Sequence, residues 1–141
     1  MRVVQLDNGS AVDHVEDWGY YREIPADEHD HSRFFTYGPH VIWWLNRNVH
    51  CAADELSLHI CVEPGWRRKI YGRKLLYAFM VCAELLHAKR LTTWMPKGSP
   101  VTQYLARMGW GLLPDREADG LEVWSVALGT GGPDGEFYEG E

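Results

Sequence analysis

Apolar and polar residues alternate regularly from Glu55 to Val62, which is the clearest strand pattern in the chain. Successive side chains of a strand point to opposite faces of a sheet, so this alternation puts apolar side chains on one face and polar or small side chains on the other. The pattern predicts a strand that ends just before Glu63-Pro64. Four apolar side chains share its buried face: Leu56, Leu58, Ile60 and Val62.

An amphipathic helix is predicted after this strand and a basic turn. We expect it to end at Lys89-Arg90, because cations are favourable at a helix C-terminus. A strand at residues 91–95 follows. A strand–helix–strand unit needs a crossover, so the strands at 55–62 and 91–95 should run side by side in parallel. The apolar residues at helical spacing are Leu76, Phe79, Met80, Ala83 and Leu86 or His87.

The other segments give weaker patterns, bounded mainly by turn residues. Before residue 55, they predict a strand at 2–6, a helix at 13–21 capped by Ser10 or Asp13, a loop or short helix at 25–32, and a hairpin of 33–37 and 40–45 turned at Gly38-Pro39. After residue 95, they predict a helix with Ser99 as N-cap and Pro100 in its first position, a stop at Gly109, and strands at 110–113 and 121–128. The order predicts a mixed sheet with helices on its faces.

Length and net charge limit the number of domains and the classes of binding partner. The 141 residues suit one domain, which we place at residues 1–128, followed by an acidic, Gly-rich and flexible tail at 129–141. A net charge of −6 argues against nucleic acid and anionic membranes as partners. The N-terminus does not resemble a signal peptide, and three cysteines without metal or redox spacing favour reduced thiols. We therefore expect a cytoplasmic protein.

Basic charge is concentrated at the turn before the predicted helix. Residues 61–90 carry seven Lys or Arg against two acids, so the rest of the chain has a net charge of −11. A helix N-terminus offers unpaired N–H groups and the positive end of a dipole, and cations there oppose that dipole unless an anion binds. The turn therefore predicts a phosphate site; the alternative is a solvated helix start. Its basic residues are Arg67, Arg68, Lys69, Arg73 and Lys74.

The turn and its flanks resemble the GNAT acetyltransferase superfamily over roughly residues 33–128. Val62-Glu63-Pro64 matches the family's apolar strand end, and Arg67 to Gly72 matches its Arg/Gln-x-x-Gly-x-Gly/Ala turn. Met108-Gly109-Trp110 matches its Leu-Gly-Phe-like helix stop. The resemblance implies an α/β (α+β) fold with a mixed, mostly antiparallel sheet of six to seven strands, a central parallel pair and flanking helices.

The same resemblance implies that acetyl-CoA is the co-substrate. In that family the turn amides hold the pyrophosphate, and the pantetheine arm lies in a V-shaped split between the strands matching 55–62 and 91–95. The cofactor-binding residues carried over in this way are Ile60, Val62, Arg67, Arg68, Lys69, Tyr71, Gly72 and Arg73. Gly72 should need either a positive φ or a close approach of the ligand.

Two positions depart from the family pattern. Ile70 stands where the family has its first Gly, and Leu105 stands where it has the Tyr that protonates the departing thiolate. Tyr104 is a candidate for that role, although one residue along a helix is a rotation of about 100°. Degenerate domains with similar losses occur among small bacteriophage proteins, so the resemblance also implies a phage-type, divergent member.

Acetyl transfer to an amine needs a base and a stabilised oxyanion. We predict His59 as the base, with Glu55 and Glu63 in reserve at the two ends of the strand. The alternative for His59 is a histidine packed against the helices and bonded to a neighbour. Cys61 shares its face and is interpreted as a core thiol rather than a nucleophile.

Two further patterns are less specific. The Glu28-His29-Asp30-His31 run is interpreted as a solvated loop, because the ligands of a metal site are usually spaced along the sequence. No bound metal is expected. Trp43 and Trp44 put one indole on each face of a strand; one should be core, and the other could line an acceptor cleft or a partner surface.

The leading hypothesis is an acetyl-CoA-dependent N-acetyltransferase that acts on an amine of a small molecule or a protein. The alternative is a catalytically degenerate GNAT-fold protein that binds and modulates a host or viral partner, motivated by Ile70, Leu105 and the seven Trp residues. The expected assembly is a monomer or a homodimer.

Overall fold

The computed structural model describes residues 3–66, 72–116 and 119–129. Within these ranges a seven-stranded sheet has the order β1-β2-β3-β4-β5-β7-β6. The strands are β1 (Val3–Leu6), β2 (Arg33–Tyr37), β3 (Val41–Asn46), β4 (Glu55–Val62), β5 (Arg90–Pro96), β6 (Gly111–Leu112) and β7 (Leu121–Ala127). The helices are α1 (Asn8–Asp17), α2 (Ala26–Asp30), α3 (Arg73–Leu85) and α4 (Thr102–Arg107), with a short 3₁₀ turn at Pro114–Arg116.

The sheet is antiparallel except at its centre, where β4 and β5 run parallel. The predicted mixed sheet with a central parallel pair is therefore confirmed. The crossover helix α3 packs with α4 on one face, over the core that contains Trp43, Leu58 and Leu105. Helix α1 covers the other face, where Ala11 and Val15 pack against Trp44. Both faces of the central strands are buried, as parallel strands require.

Several predicted boundaries were wrong, each because of one local interaction. Helix α1 begins at Asn8 instead of residue 13, because Asp7 is its cap and accepts the Ser10 N–H at 3.1 Å. Only Ala11 and Val15 are buried on this helix, four residues apart, so its apolar stripe is too narrow to mark the start. Helix α2 takes the short-helix alternative predicted for residues 25–32.

Helices α3 and α4 also differ from their predicted ends. Helix α3 stops at Leu85, because His87 adopts a φ of 66°, and Lys89 instead donates its N–H to the Asp54 carbonyl at 2.8 Å. Helix α4 begins at Thr102, so Ser99 and Pro100 lie in the preceding turn. There the Ser99 carbonyl accepts the Thr102 hydroxyl at 2.9 Å.

The predicted β2–β3 hairpin is confirmed, with Gly38 at a φ of 78° in its turn. Both tryptophans of β3 are fully buried, so neither forms a partner surface. Trp43 stacks edge-on against Phe79 of α3, while Trp44 stacks on Phe34 under α1. Residues 130–141, most of the predicted tail, lie outside the described residues. None of the described helices is long and apolar enough to cross a membrane.

Candidate active site

Strands β4 and β5 stay paired for only the first half of β4. Their ladder runs from the Glu55–Arg90 pair to the Leu58–Thr93 pair, yet β4 continues to Val62 and β5 to Pro96. The Thr93 hydroxyl donates to the Leu58 carbonyl at 2.9 Å at the last pair. Beyond this point the two described strands share no ladder, so the centre of the sheet opens where the resemblance predicts a split.

A cleft of about 310 Å³ lies at this opening. Its described lining comes from three segments: residues 19–21 between α1 and α2, residues 60–62 of β4, and residues 99–101 before α4. The first segment lies on the α1 face of the sheet, while Val101 packs on the α3 face. The cleft therefore connects the two faces through the opening in the sheet.

The backbone of Ile60 faces this cleft. Glu63 donates its N–H to the His40 carbonyl at 2.9 Å, so the odd-numbered residues of β4 direct their backbone groups toward β3. Because these groups alternate along a strand, those of Ile60 and Val62 point to the β5 side. A main-chain N–H at the edge of a strand is a suitable donor for a thioester carbonyl or for an amide of an extended ligand arm.

The start of helix α3, which follows β4 along the chain, suits an anion. Helix α3 begins at Arg73 and has no acidic residue in its first turn and no side-chain cap among the described residues. Its N-cap, Gly72, has a φ of −157°, so of the two predicted reasons for a glycine here a positive φ does not apply, and the close approach of a ligand stays a prediction. No atom of the described residues lies within 4 Å of the place that a Cβ at Gly72 would take, which leaves room on their side for a ligand to approach. Residues 67–71, which include Arg67, Arg68, Lys69, Ile70 and Tyr71, lie outside the described residues.

His59 lies on the α1 face of β4 and is stacked on Trp44, with 5.3 Å between the ring centroids. Arg22 Nη2 approaches His59 Nδ1 at 3.4 Å, and a guanidinium can only donate, so Nδ1 accepts and the ring proton resides on Nε2. Nε2 lies 2.9 Å from Ser57 Oγ and 3.3 Å from Asn46 Oδ1. Burial and the Arg22 charge lower the pKa of His59 to about 4, despite the opposing charge of Glu28.

The histidine is therefore neutral at pH 7, engaged at both ring nitrogens, and outside the described lining of the cleft. These contacts match the alternative stated for it in sequence, a packed histidine bonded to its neighbours. A base with a pKa near 4 is also a poor proton acceptor at neutral pH.

A salt bridge beside His59 was not foreseen as part of the site. Arg22 donates to both oxygens of Glu28, at 2.9 and 2.8 Å, and the Trp44 Nε1–H donates to the same carboxylate at 3.0 Å. Burial alone would raise the pKa of Glu28, but the bonds from Arg22 and Trp44 outweigh it and hold that pKa below its usual range. Burial raises the pKa of Tyr20, whose ring lies 5.5 Å from the Arg22 guanidinium.

Little in the sequence indicates that Arg22 and Glu28 form a pair. Glu28 belongs to the Glu28-His29-Asp30-His31 run, whose ligand-type side chains form no group of three potential metal ligands among the described residues. Arg22 lies in a segment without a helical or strand-like pattern of apolar residues. It reaches Glu28 and His59 only because α2 packs close to β3 and β4 in the folded protein. The one sequence feature that could have indicated a site here is Arg22 directly after Tyr20 and Tyr21.

Glu55 lies at the opposite end of β4 from the cleft. Arg116 donates to both of its oxygens, at 2.7 and 3.2 Å, and the Thr92 hydroxyl and the Ala52 N–H donate as well. Burial would raise the pKa of Glu55, but these bonds hold it below its usual range. Glu63 lies nearer the cleft, and its carboxylate contacts His40 Nδ1 at 3.2 Å. Glu55 is placed for a structural role.

The two α4 candidates differ in burial. Leu105 is fully buried in the core, where a tyrosine hydroxyl would need a new partner. Tyr104 is half-buried at the edge of that core, with its ring 5.7 Å from the Arg107 guanidinium, and it is not among the described residues that line the cleft. Cys61 does line the cleft but is buried, in keeping with its interpretation as a core thiol.

No protein-family model and no curated protein sequence matches this chain. Solved structures do match. An IAA acetyltransferase from Bacillus cereus superposes with a TM-score of 0.69 at 12% identity, over 90% of this chain and 99% of that one. The ribosomal-protein-S18-alanine N-acetyltransferase of Escherichia coli gives 0.65 at 14% identity, over 94% and 97%. An acetyltransferase of Bacillus subtilis, solved in complex with CoA, gives 0.67 at 12% identity, over 90% and 98%.

At these identities the likeness establishes the fold. The chain has the GNAT acetyltransferase fold, in agreement with the resemblance read from its turn and helix-stop motifs.

Proposed function

We propose that this protein is an acetyl-CoA-dependent N-acetyltransferase. The observation that carries the proposal is the opening between β4 and β5, where the ladder ends at Leu58–Thr93 and the backbone of Ile60 faces a cleft through the sheet. The start of α3 at Gly72 and Arg73 supports an anion site beside it. The structural neighbours, one of them solved with CoA, support the same reading.

The residues present fit the co-substrate at two places. The edge of β4 at Ile60 and Val62 would hold the pantetheine arm by strand-like hydrogen bonds. The N-terminus of α3, with Gly72 and Arg73, would hold the pyrophosphate together with the basic turn. When bound, acetyl-CoA supplies an activated acyl group as its thioester.

The reaction then needs little from side chains. A neutral amine nitrogen forms the new C–N bond, the C–S bond breaks, and the amine proton passes to the coenzyme A sulfur, directly or through water. The protein's contribution is to position the two reactants and to provide main-chain donors at the thioester carbonyl. We assign His59 to positioning of the acceptor side rather than to proton removal, since its pKa lies near 4 and Arg22 occupies its Nδ1.

A second candidate is a GNAT-fold protein that binds coenzyme A without transfer. It is favoured by Leu105, which is buried in the core instead of offering a hydroxyl to the leaving thiolate. The surplus of tryptophan no longer supports a partner-binding surface. Of the seven indoles, all of which are described, only Trp66 is exposed, at 39%.

Calorimetric titration with acetyl-CoA and with coenzyme A tests the proposal, combined with an assay for thiol release. The Gly72→Val variant should lose binding at least tenfold, because its side chain would occupy the space beside the helix start. Gly111→Val on β6 is the matched control, since its Cβ first meets a backbone oxygen at 4.0 Å and it lies away from the cleft.

Absence of binding by the unaltered protein at millimolar acetyl-CoA would refute the proposal. Binding without thiol release for any amine would select the second candidate. Equal binding by Gly72→Val and by the unaltered protein would remove the α3 terminus from the site.

A further inference from the structure

The acceptor side of the cleft is an aromatic wall. The segment of residues 19–21 approaches the opening from the α1 face, and its two tyrosine rings lie 4.7 Å apart, centroid to centroid. Tyr20 packs edge-on against the buried Trp44 at 4.9 Å, so its position is fixed by the sheet. Tyr21 is 57% exposed, which places its ring at the surface of this wall. This wall therefore offers flat apolar area to a ligand.

The charges behind this wall are already satisfied by the protein. The four terminal N–H groups of Arg22 have four acceptors: the Glu23 carbonyl at 3.2 Å, the two Glu28 oxygens at 2.9 and 2.8 Å, and His59 Nδ1 at 3.4 Å. Glu28 in turn accepts from Arg22 and from Trp44. Arg22 thus cannot offer these groups to a substrate carboxylate without giving up one of these four acceptors, and Glu28 cannot pair with a substrate cation without loosening its contacts with Arg22.

The lining itself carries no charge in the part of the chain that the structure describes. Residues 19–21, 60–62 and 99–101 contribute aromatic, aliphatic, hydroxyl and thiol groups, together with glycine and proline. Against this described lining, a second ammonium or a carboxylate would lose its hydration without gaining a charged partner, which is costly. The cleft of about 310 Å³ must also admit the acyl end of the co-substrate, so the acceptor body is small.

From the satisfied Arg22–Glu28 pair and the tyrosine wall, we infer that the acceptor is a small primary amine on a flat, apolar body that carries no second charge, such as an arylalkylamine. The inference rests on the proposed N-acetyltransferase function and names its substrate class. It excludes polyamines, which need a carboxylate in the cleft, and free amino acids, which need an available cation. The acetyl group would pass to the single amine nitrogen, whose proton leaves with the coenzyme A thiol.

Four amines separate these contributions when they are tested with acetyl-CoA on the full-length protein. Phenethylamine is the expected class, phenylalanine adds a carboxylate to the same ring, spermidine adds further charges, and hexylamine keeps one charge but lacks the ring. We expect kcat/KM for phenethylamine to exceed that for phenylalanine and spermidine at least tenfold. We expect a lead over hexylamine of about two- to tenfold, which is the value of an aromatic pair.

Tyr21→Leu should abolish most of the lead of phenethylamine over hexylamine, because it keeps an apolar side chain and removes the ring. Tyr21 is exposed, so the variant should fold. Val49→Ala is the control, because Val49 is 93% exposed and lies outside the lining. It should leave the ratio of the two amines unchanged.

The outcomes separate this inference from the proposal on which it rests. If acetyl-CoA binds but spermidine or phenylalanine is acetylated as well as phenethylamine, the substrate class is wrong and the enzyme proposal stands. If acetyl-CoA binds and none of the four amines is acetylated, the substrate class is also overturned. If acetyl-CoA does not bind, the proposed function fails first and the inference fails with it.

Discussion

Two bidentate arginine–carboxylate pairs stand on the same face of the sheet, at different points along β4, and they differ in burial. At the paired end, Glu55 is only 1% exposed and its partner Arg116 is 31% exposed. Beside the opening, Glu28 is 18% exposed and Arg22 is 29% exposed. We call residues 55–58 of β4, which pair with β5, the closed half, and residues 59–62, which line or adjoin the cleft, the open half. The Glu55 pair belongs to the closed half, and the Glu28 pair belongs to the open half.

The elements that each pair joins explain the difference. Arg116 lies in the 3₁₀ turn before β7, and its guanidinium also donates to the His50 carbonyl at 3.0 Å and lies 5.4 Å from the Trp94 ring. The Glu55 pair therefore ties β4, β5 and the chain before β7 into one unit. Arg22 instead follows the two tyrosines of the acceptor wall and ties them to α2 and to His59. The closed half ties strands of the fold together, and the open half orders the tyrosine wall that we propose as a ligand surface.

Breaking the closed half should have the largest effect. Arg116→Ala leaves the Glu55 carboxylate buried without its charge partner, and removing one member of a buried pair costs about 3–5 kcal/mol in general. Arg116 is partly exposed and Thr92 still donates to Glu55, so we expect a loss of about 2–3 kcal/mol in the free energy of unfolding. Urea denaturation at pH 7 measures it.

The matched control for this variant is Arg107→Ala, which removes an exposed arginine of α4 and should change the unfolding free energy by less than about 0.5 kcal/mol. The affinity of folded Arg116→Ala for acetyl-CoA should equal that of the unaltered protein, because Arg116 lies away from the opening. A tenfold weaker affinity would mean that the two halves of β4 are coupled.

The contribution of His59, the first residue of the open half, can be measured from the way the free energy of unfolding changes with pH. Its pKa is about 4 in the folded protein against an ordinary 6.5, so the unfolded chain binds more protons between these values. The contribution is complete above pH 6.5 and is lost as the pH falls toward 4, by up to about 3 kcal/mol. Glu28 and Glu55, with lowered pKa values, contribute in the same direction at still lower pH.

The measurement is the unfolding free energy from pH 7.5 to 4.5, for the unaltered protein and for His59→Gln. The variant should show a flatter profile in this window. His14→Gln, which replaces an exposed histidine of α1, should keep the original slope. An unchanged slope in His59→Gln would show that this histidine is not held neutral by its surroundings.

The closed half was more predictable from sequence than the open half, for a physical reason. The alternation of Leu56 to Val62 and the helical stripe of α3 are local patterns, so they predict β4, the crossover and the parallel pair. The end of the ladder after Leu58 has no local signal; it came only from the family resemblance. The Arg22–Glu28 and Arg116–Glu55 contacts join residues whose proximity exists only in the folded sheet.

The candidate site shows the same limit. The family resemblance named Ile60 and Val62, which the structure places in the cleft lining, while the residues themselves indicated only an anion at the helix start near Gly72. The strand pattern placed His59 on the correct face of β4, but face alone does not distinguish a reactive histidine from a bonded one. That distinction depends on Arg22, from the segment before α2, and on Trp44, from β3, which contact the histidine only in the folded protein.

Breaking the open half should have the smallest effect on stability and a selective effect on catalysis. Arg22→Gln removes the cation that holds Glu28 and the rings of Tyr20 and Tyr21. Because both charges are partly exposed, we expect a loss of about 1 kcal/mol in the unfolding free energy. The acceptor KM should rise about three- to tenfold, since a wall that must be ordered on binding lowers affinity. The affinity for acetyl-CoA, which we propose to bind at the β4 edge and the start of α3, should stay the same.

Steady-state kinetics with phenethylamine as the varied substrate separates these effects, and Arg22→Lys provides the conservative comparison. Lysine keeps the charge beside Glu28 but cannot make the bidentate contact, so it should recover part of the stability and less of the KM. If Arg22→Gln lowered kcat tenfold with the acceptor KM unchanged, Arg22 would act on the transition state instead of on the wall. If it weakened acetyl-CoA to the same extent as the amine, the division of β4 into a fold half and a ligand half would be wrong.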